Sequence, residues 1–348
     1  AYRTAIGLAG KQPSCNLDSL MSTAGIDPRQ SLFLRRLLEI LREDGVLDSE
    51  GSEWTFSEDA NLPDPEDIWR QLLADFPGYV AEATVAGRCG MHLEGILGGA
   101  MPEDLLLLKN SVGVAADLCD ASPTWRISNL AIQEALGQIV KNCPEGRRLR
   151  ILELSCGAVG LTAELLTILP MERCSYVFAS PDRAVRAHAT AELADFAGHA
   201  VSELDIVGDL REQGQAADSF DVVIASHVLH AADKPETVME NIRWLLSRDG
   251  LLLLLERSPD RLSDLVFGTR PEWWARTVDR NRPLSRLRSM NEWQAAIECG
   301  GFIEVTTVSE PTPAGNPSTY MLVARNPEER IPESDTLERI RRSYLVLT

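Results

Sequence analysis

One pattern in the second half of the chain limits what it can become: short apolar runs separated by helical stretches. "LRILELS", "CSYVFAS", "AVSELDI", "FDVVIAS" and "GLLLLLERS" follow one another, and the weaker "FIEVTTVSE" and "TYMLVARN" come after them. A strand covered on one face alternates apolar with polar residues. Runs that are apolar almost throughout need cover on both faces, which parallel strands receive from their crossover helices. The spacing predicts an α/β domain, doubly wound and Rossmann-like, whose ligands sit past the carboxyl ends of the strands.

The front half has a helical texture. "SLFLRRLLEILREDGVLD" sets Leu34, Leu37, Leu38 and Leu41 on one helix face, with Gly45 closing the helix. "VLDSEGSEWTF" then reads as a hairpin turned at Glu50 and Gly51. Helix plus hairpin resembles a small winged-helix unit, but the mixed charge of the helix and the acidic hairpin point to packing rather than DNA reading. "SPTWRISNLAIQEALGQIVKNCPEG" is a further helix, with Ser122 as its cap and Pro123 in its first turn. The expected organisation is a helical lid over residues 1–148, a core over 149–327 and a linker over 328–348.

The chain's 348 residues allow two domains, and a formal charge of −18 argues against nucleic acid, whose phosphates are bound by clustered Lys and Arg. The longest apolar run, Leu251 to Leu255, is far below the roughly 18 residues of a membrane helix. The start lacks a basic patch followed by an apolar block, so no leader is expected. The 7 cysteines include no C-x-x-C pair, so neither a zinc site nor a disulfide framework is expected, and a reducing cytoplasm fits.

The strand ends gather polar groups: Glu153 and the loop from Ser155 to Gly160, then Asp205, then His227 and His230 in "ASHVLHA", then Glu256. In a doubly wound sheet these tips share one crevice. "LRILELSCGAVG", "LDI", "FDVVIASHVLHA" and "GLLLLLE" resemble the class I S-adenosylmethionine (SAM) methyltransferases. The ordered set "RRLLEILREDGVL", "LLADFPGY", "LGGAMPEDLLL", "WRISNLAIQEAL", "VLHA", "DLVFGTRPEWW" and "SMNEWQAAIECGGF" is similar, more narrowly, to carbon-methyltransferase domains of modular polyketide synthases.

That resemblance implies SAM as cofactor, no metal, and methyl transfer to the α-carbon of a β-ketoacyl chain on an acyl carrier protein, among neighbouring synthase domains. It assigns the base to His230 and its carboxylate partner to Glu256. It assigns cofactor contacts to Asn129, Glu153, Ser155, Gly157, Asp205 and Ile206. His227 stands where the family has a small amide, and either lines the pocket or packs beneath it.

Two departures accompany the match. The glycine-rich loop carries Ser155 and Val159, and a valine forced to positive φ would be strained by about 1–2 kcal/mol. The second strand ends in Ala179 and Ser180, where the family has a ribose-binding acid, leaving Asp182 to reach back. Inactive-spacer and oxygen-methylating readings therefore stand beside carbon methylation. Arg280, Arg282, Arg286 and Arg288 form either a carrier-docking patch or a solvated loop, and Trp273 and Trp274 either core, lid or channel border.

Overall fold

The computed structural model describes residues 14–56, 64–101, 118, 121–155, 157–279, 282–309 and 317–327. The linker expected over 328–348 lies outside them, as do Cys119, Cys156 and Arg280. The chain divides into two compact units, one of residues 1–114 with 259–286 and the other of 115–258 with 287–348.

In the first unit, α1 (Leu17–Ala24) and α2 (Ser31–Glu43) accompany a sheet in the order β1 (Ser14–Asn16), β3 (Glu53–Phe56), β2 (Leu47–Glu50). The α2 stripe is the one read from sequence: Phe33, Leu34, Leu37, Leu38 and Leu41 are buried, and Gly45 at φ 71° ends the helix. The hairpin turns one residue later than expected. Glu50 pairs with Glu53, which leaves Gly51 and Ser52 in the turn, with Gly51 at φ 61°.

Helices α3 (Pro65–Asp75) and α4 (Val80–Leu97) follow. Residues 259–286 join this unit although the sequence boundary places them in the core. The reason is packing: α9 (Arg261–Phe267) sets Val266 in a cluster with Val85, Cys89 and Ile96 of α4. The carboxylate of Asp264 also meets Arg36 of α2 at 2.8 Å. Trp273 and Trp274 are buried here, their indole N–H groups donating to Asp264 Oδ1 and the Gly268 carbonyl at 3.0 and 2.9 Å. Both are packing residues.

The second unit holds a seven-stranded sheet in the order β6-β5-β4-β7-β8-β10-β9. Its strands are β4 (Leu149–Ser155), β5 (Cys174–Ser180), β6 (His199–Glu203), β7 (Phe220–Ser226), β8 (Leu246–Arg257), β9 (Ile303–Ser309) and β10 (Thr319–Arg325). Pairings from β6 through β8 are parallel, as expected, whereas β10 runs antiparallel between β8 and β9.

Alternate residues of each central strand enter opposite apolar clusters. Leu152, Leu154, Val223 and Leu254 face α8 (Pro235–Leu245) and α10 (Met290–Cys299), through Met239, Ile242, Trp293 and Ile297. Ile151, Val222, Ile224 and Leu253 face α5 (Pro123–Asn142), α6 (Gly160–Ile168) and α7 (Arg183–Glu192). Each such side chain contributes about 1.5–3 kcal/mol on burial. Helix α5, which the sequence boundary at 148 sets in the lid, belongs with the sheet because Ile132, Leu136 and Val140 complete the second cluster.

Candidate active site

The parallel register carries the ends of β4, β5, β6, β7 and β8 to one edge. Beyond β7, Leu229–Ala231 forms a single 3₁₀ turn that lifts His230 over the end of β8. There His230 Nδ1 lies 3.0 Å from Glu256 Oε2 and 3.3 Å from Oε1. The His230 backbone N–H donates to Glu256 Oε1 at 3.1 Å, so one carboxylate fixes both ring and backbone. Glu256 is fully buried, while the His230 side chain keeps 22% of its surface open. A carboxylate on Nδ1–H selects the tautomer whose lone pair is on Nε2, the arrangement of a positioned general base.

Among the described residues of the loop after β4, no non-glycine position has a positive φ. Val159 sits at φ −110°, in ordinary space, and its methyl groups are buried in the cluster of Ile132, Leu136 and Leu165. The strain considered from sequence is absent. Positive φ is required instead at Gly157, which adopts 131°. The Ser155 hydroxyl spans the turn, donating to the Ala158 carbonyl at 3.1 Å and accepting from Gly157 N–H at 3.3 Å. Serine thus braces from the side chain a turn that glycines elsewhere leave to the backbone.

Other predicted residues have defined tasks. Glu153 is buried and accepts at 2.7 Å from both Thr162 of α6 and Tyr176 of β5. Its contacts tie the loop's helix to the neighbouring strand, and burial beside this carboxylate pushes the Tyr176 phenol well above its ordinary pKa. Asp182 caps α7, accepting from Ala184 N–H at 2.7 Å. Arg186 closes the end of β5 by donating to the Ser180 and Pro181 carbonyls at 2.9 and 2.8 Å and to Glu203 at 2.7 Å. Where an acid was sought for ribose, the strand end is held by an arginine and the nearest aspartate is a helix cap.

After β6, Asp205 is exposed and accepts from Val207 N–H at 3.0 Å, and Ile206 is buried with its carbonyl held by Asn241 at 2.7 Å. Asn129 is buried on α5, one turn beyond Trp125 and on the same face. His227, at the end of β7, is buried in a left-handed conformation, φ 51°, with its backbone N–H on the Leu255 carbonyl at 2.8 Å. Its ring lies on Trp125, centroids 3.7 Å apart. Burial first, then the nearby Arg257 and His230, hold the imidazole pKa well below its ordinary value, so it is neutral near pH 7.

The sequence did not single out Trp125, because an aromatic residue in a helix's first turn usually means core. The arginine patch is only partly a surface. Arg288 is buried over the Trp293 ring, and Arg286 donates to the Glu272 carbonyl at 2.6 Å.

Residues 152–252 match the methyltransferase domain family. The chain is similar over nearly its whole length to the solved CurJ carbon methyltransferase: 27% identity, TM-score 0.83, with 94% of this chain and 89% of that one covered. The fold is that of the class I methyltransferases. The methyltransferase of the citrinin polyketide synthase, 24% identical over 87% of this chain and 80% of its own, has the same fold at TM-score 0.79.

Among curated proteins, the highly reducing polyketide synthase sthA of Phaeosphaeria nodorum is 34% identical over 168 residues, 47% of this chain. The squalestatin tetraketide synthase clz2 of Cochliobolus lunatus is 31% identical over 238 residues, 64% of this chain. The matched parts are 6% and 9% of those synthases' lengths. The chain thus has the architecture of a polyketide synthase carbon-methyltransferase domain, a class whose cofactor is SAM. Among the described residues no cluster suited to a metal occurs and no helix is long and apolar enough to cross a membrane.

Proposed function

We propose that this domain methylates the α-carbon of a β-ketoacyl chain held on an acyl carrier protein. The observation carrying this reading is the His230–Glu256 pair at the carboxyl edge, with Nδ1 3.0 Å from a buried carboxylate. An α-carbon between two carbonyl groups becomes a nucleophile when its proton leaves, and His230 Nε2 is the acceptor this geometry presents. Glu256 keeps the ring oriented and offsets the charge of the protonated imidazole.

The chain's fit to SAM is good at the loop after β4. Gly157 gives the tight turn and Ser155 fixes it, while Val159 is withdrawn into the core. Ser155 and Gly157 would hold the methionine part and Asp205 and Ile206 the adenine, with Asn129 a further cofactor contact and Glu153 supporting the loop from below. When bound, SAM supplies an electrophilic methyl group on a sulfonium. Alignment of that group with the deprotonated carbon is the protein's remaining task.

The test is mass spectrometry of a β-ketoacyl carrier protein incubated with the domain and SAM. A gain of one methyl with wild type, and its loss in His230→Ala, is the expected result. No gain with wild type would remove the proposal. A β-hydroxyacyl carrier in parallel separates carbon from oxygen methylation. One observation favours the inactive-spacer reading, the helix-capping Asp182 with no acid at the end of β5. Calorimetry with SAM decides it, since micromolar binding is incompatible with a lost cofactor site.

A further inference from the structure

Buried polar atoms without partners are rare in folded proteins, and two stacked side chains at the carboxyl edge carry three of them. Neither Nδ1 nor Nε2 of His227 has a hydrogen-bond partner among the described residues, and neither does Nε1 of Trp125. His227 is 2% exposed and Trp125 7% exposed, so bulk water does not account for them. Each orphan leaves a desolvation cost that no protein partner offsets. The arrangement is also held deliberately: a non-glycine residue at φ 51° is uncommon, and here the His227 backbone N–H is anchored on Leu255, the neighbour of Glu256.

The chemistry of the pair narrows what completes it. An uncharged imidazole has one N–H and one lone pair, and an indole has one N–H. Two neutral donors on rings stacked 3.7 Å apart suit an oxygen that gains negative charge during reaction, better than one that arrives charged. A neutral imidazole can act as such a donor to a developing enolate. Both the base and its carboxylate are adjacent: His230 follows His227 by one 3₁₀ turn, and the His227 strand end is bonded to the residue before Glu256.

We propose that His227 and Trp125 form an oxygen site that receives the β-keto oxygen of the acyl substrate and stabilises its enolate. This rests on the α-carbon methylation reading. Within it, His230 takes the proton from the α-carbon, the C–H electron pair moves into the enolate, and the charge settles on an oxygen bonded by the two ring N–H groups.

The experiment compares binding of two stable pantetheine amides, one with a β-keto group and one saturated at that carbon, by calorimetry. Wild type, Trp125→Phe and His227→Gly are used. Phenylalanine keeps a ring and drops the donor, and glycine drops the donor while tolerating the left-handed backbone. Wild type is expected to favour the keto amide by about tenfold or more, and both variants to lose most of that preference while holding SAM as wild type does. A preference unchanged in both variants, or absent from wild type, overturns the oxygen site. Loss of SAM affinity in the variants also overturns it, because the donors would then serve the cofactor. A keto preference that depends on both residues, in a domain that transfers no methyl, overturns the methylation reading and upholds the oxygen site.

Discussion

Two clusters of buried polar groups, at opposite edges of the parallel strands, are treated in opposite ways. At the amino edge Asp221, 6% exposed, accepts from Arg147 at 2.9 Å, from the Arg150 backbone at 2.9 Å and from Ser247 at 3.0 Å. The Arg150 guanidinium adds bonds at 3.0 and 3.1 Å. Burial pushes this carboxyl up, but the bonds from Arg150, Arg147 and Ser247 outweigh it and hold the group well below the usual range. At the carboxyl edge Glu256 is committed to His230, and the neighbouring His227 and Trp125 rings keep orphan nitrogens. A saturated group can do no more than hold structure. An unsaturated one lowers stability until a partner completes it, which is the role the proposed oxygen site gives to the substrate.

Four measurements would break or sharpen this contrast. The largest effect belongs to the proposed base: His230→Ala lowers methyl transfer about a thousandfold, read as methylated acyl product, with SAM affinity retained. Activity near wild type would remove the division between a working and a structural edge.

Asp221→Ala comes next. It costs about 3 kcal/mol in chemical denaturation, because Arg147, Arg150 and Ser247 lose their shared acceptor, yet methyl transfer per folded molecule is unchanged. A specific activity that fell with stability would show that the two edges are coupled.

Val159→Gly restores the family's glycine and is expected to gain nothing. SAM affinity stays within about twofold, while stability drops by about 2 kcal/mol as a buried side chain is lost and a glycine gained. A tighter cofactor would show that the valine obstructs the crevice after all.

The smallest effect is the pH response of His227. Its folded pKa is depressed by burial, Arg257 and His230, and an unfolded histidine titrates near about 6.5. The unfolded chain therefore binds the proton first. Stability from this residue is complete above about pH 6.5 and declines as pH falls below it. His227→Asn should flatten the decline in melting temperature between about pH 7.5 and 5. Parallel curves for the two proteins would mean that the ring takes up its proton over the same pH range folded and unfolded.

Legibility differed by residue for physical reasons. His230 and Glu256 could be placed from sequence because each follows an apolar run of known direction, and parallel strands bring such ends together. The loop after β4 was legible in position and not in mechanism. Backbone angles assign the positive φ to Gly157 and the brace to Ser155, neither of which a glycine count reveals. Asp182 reads as a free acid in sequence, but it is the first residue before a helix, where a carboxylate is drawn to orphan N–H groups. Arg288 reads as surface charge because sequence has no record of the Trp293 ring beneath it.

By itself the sequence determined the alternation of strand and helix, the apolar weight that makes the central strands parallel and doubly covered, and the stripe of the front helix. These depend on residues within a few positions of one another. The tertiary structure alone decided the antiparallel entry of β10 between β8 and β9, the grouping of residues 259–286 with the first unit, and the stacking of Trp125 on His227. Each joins segments far apart in the chain, and such contacts are chosen by the packing of the whole rather than by local preference.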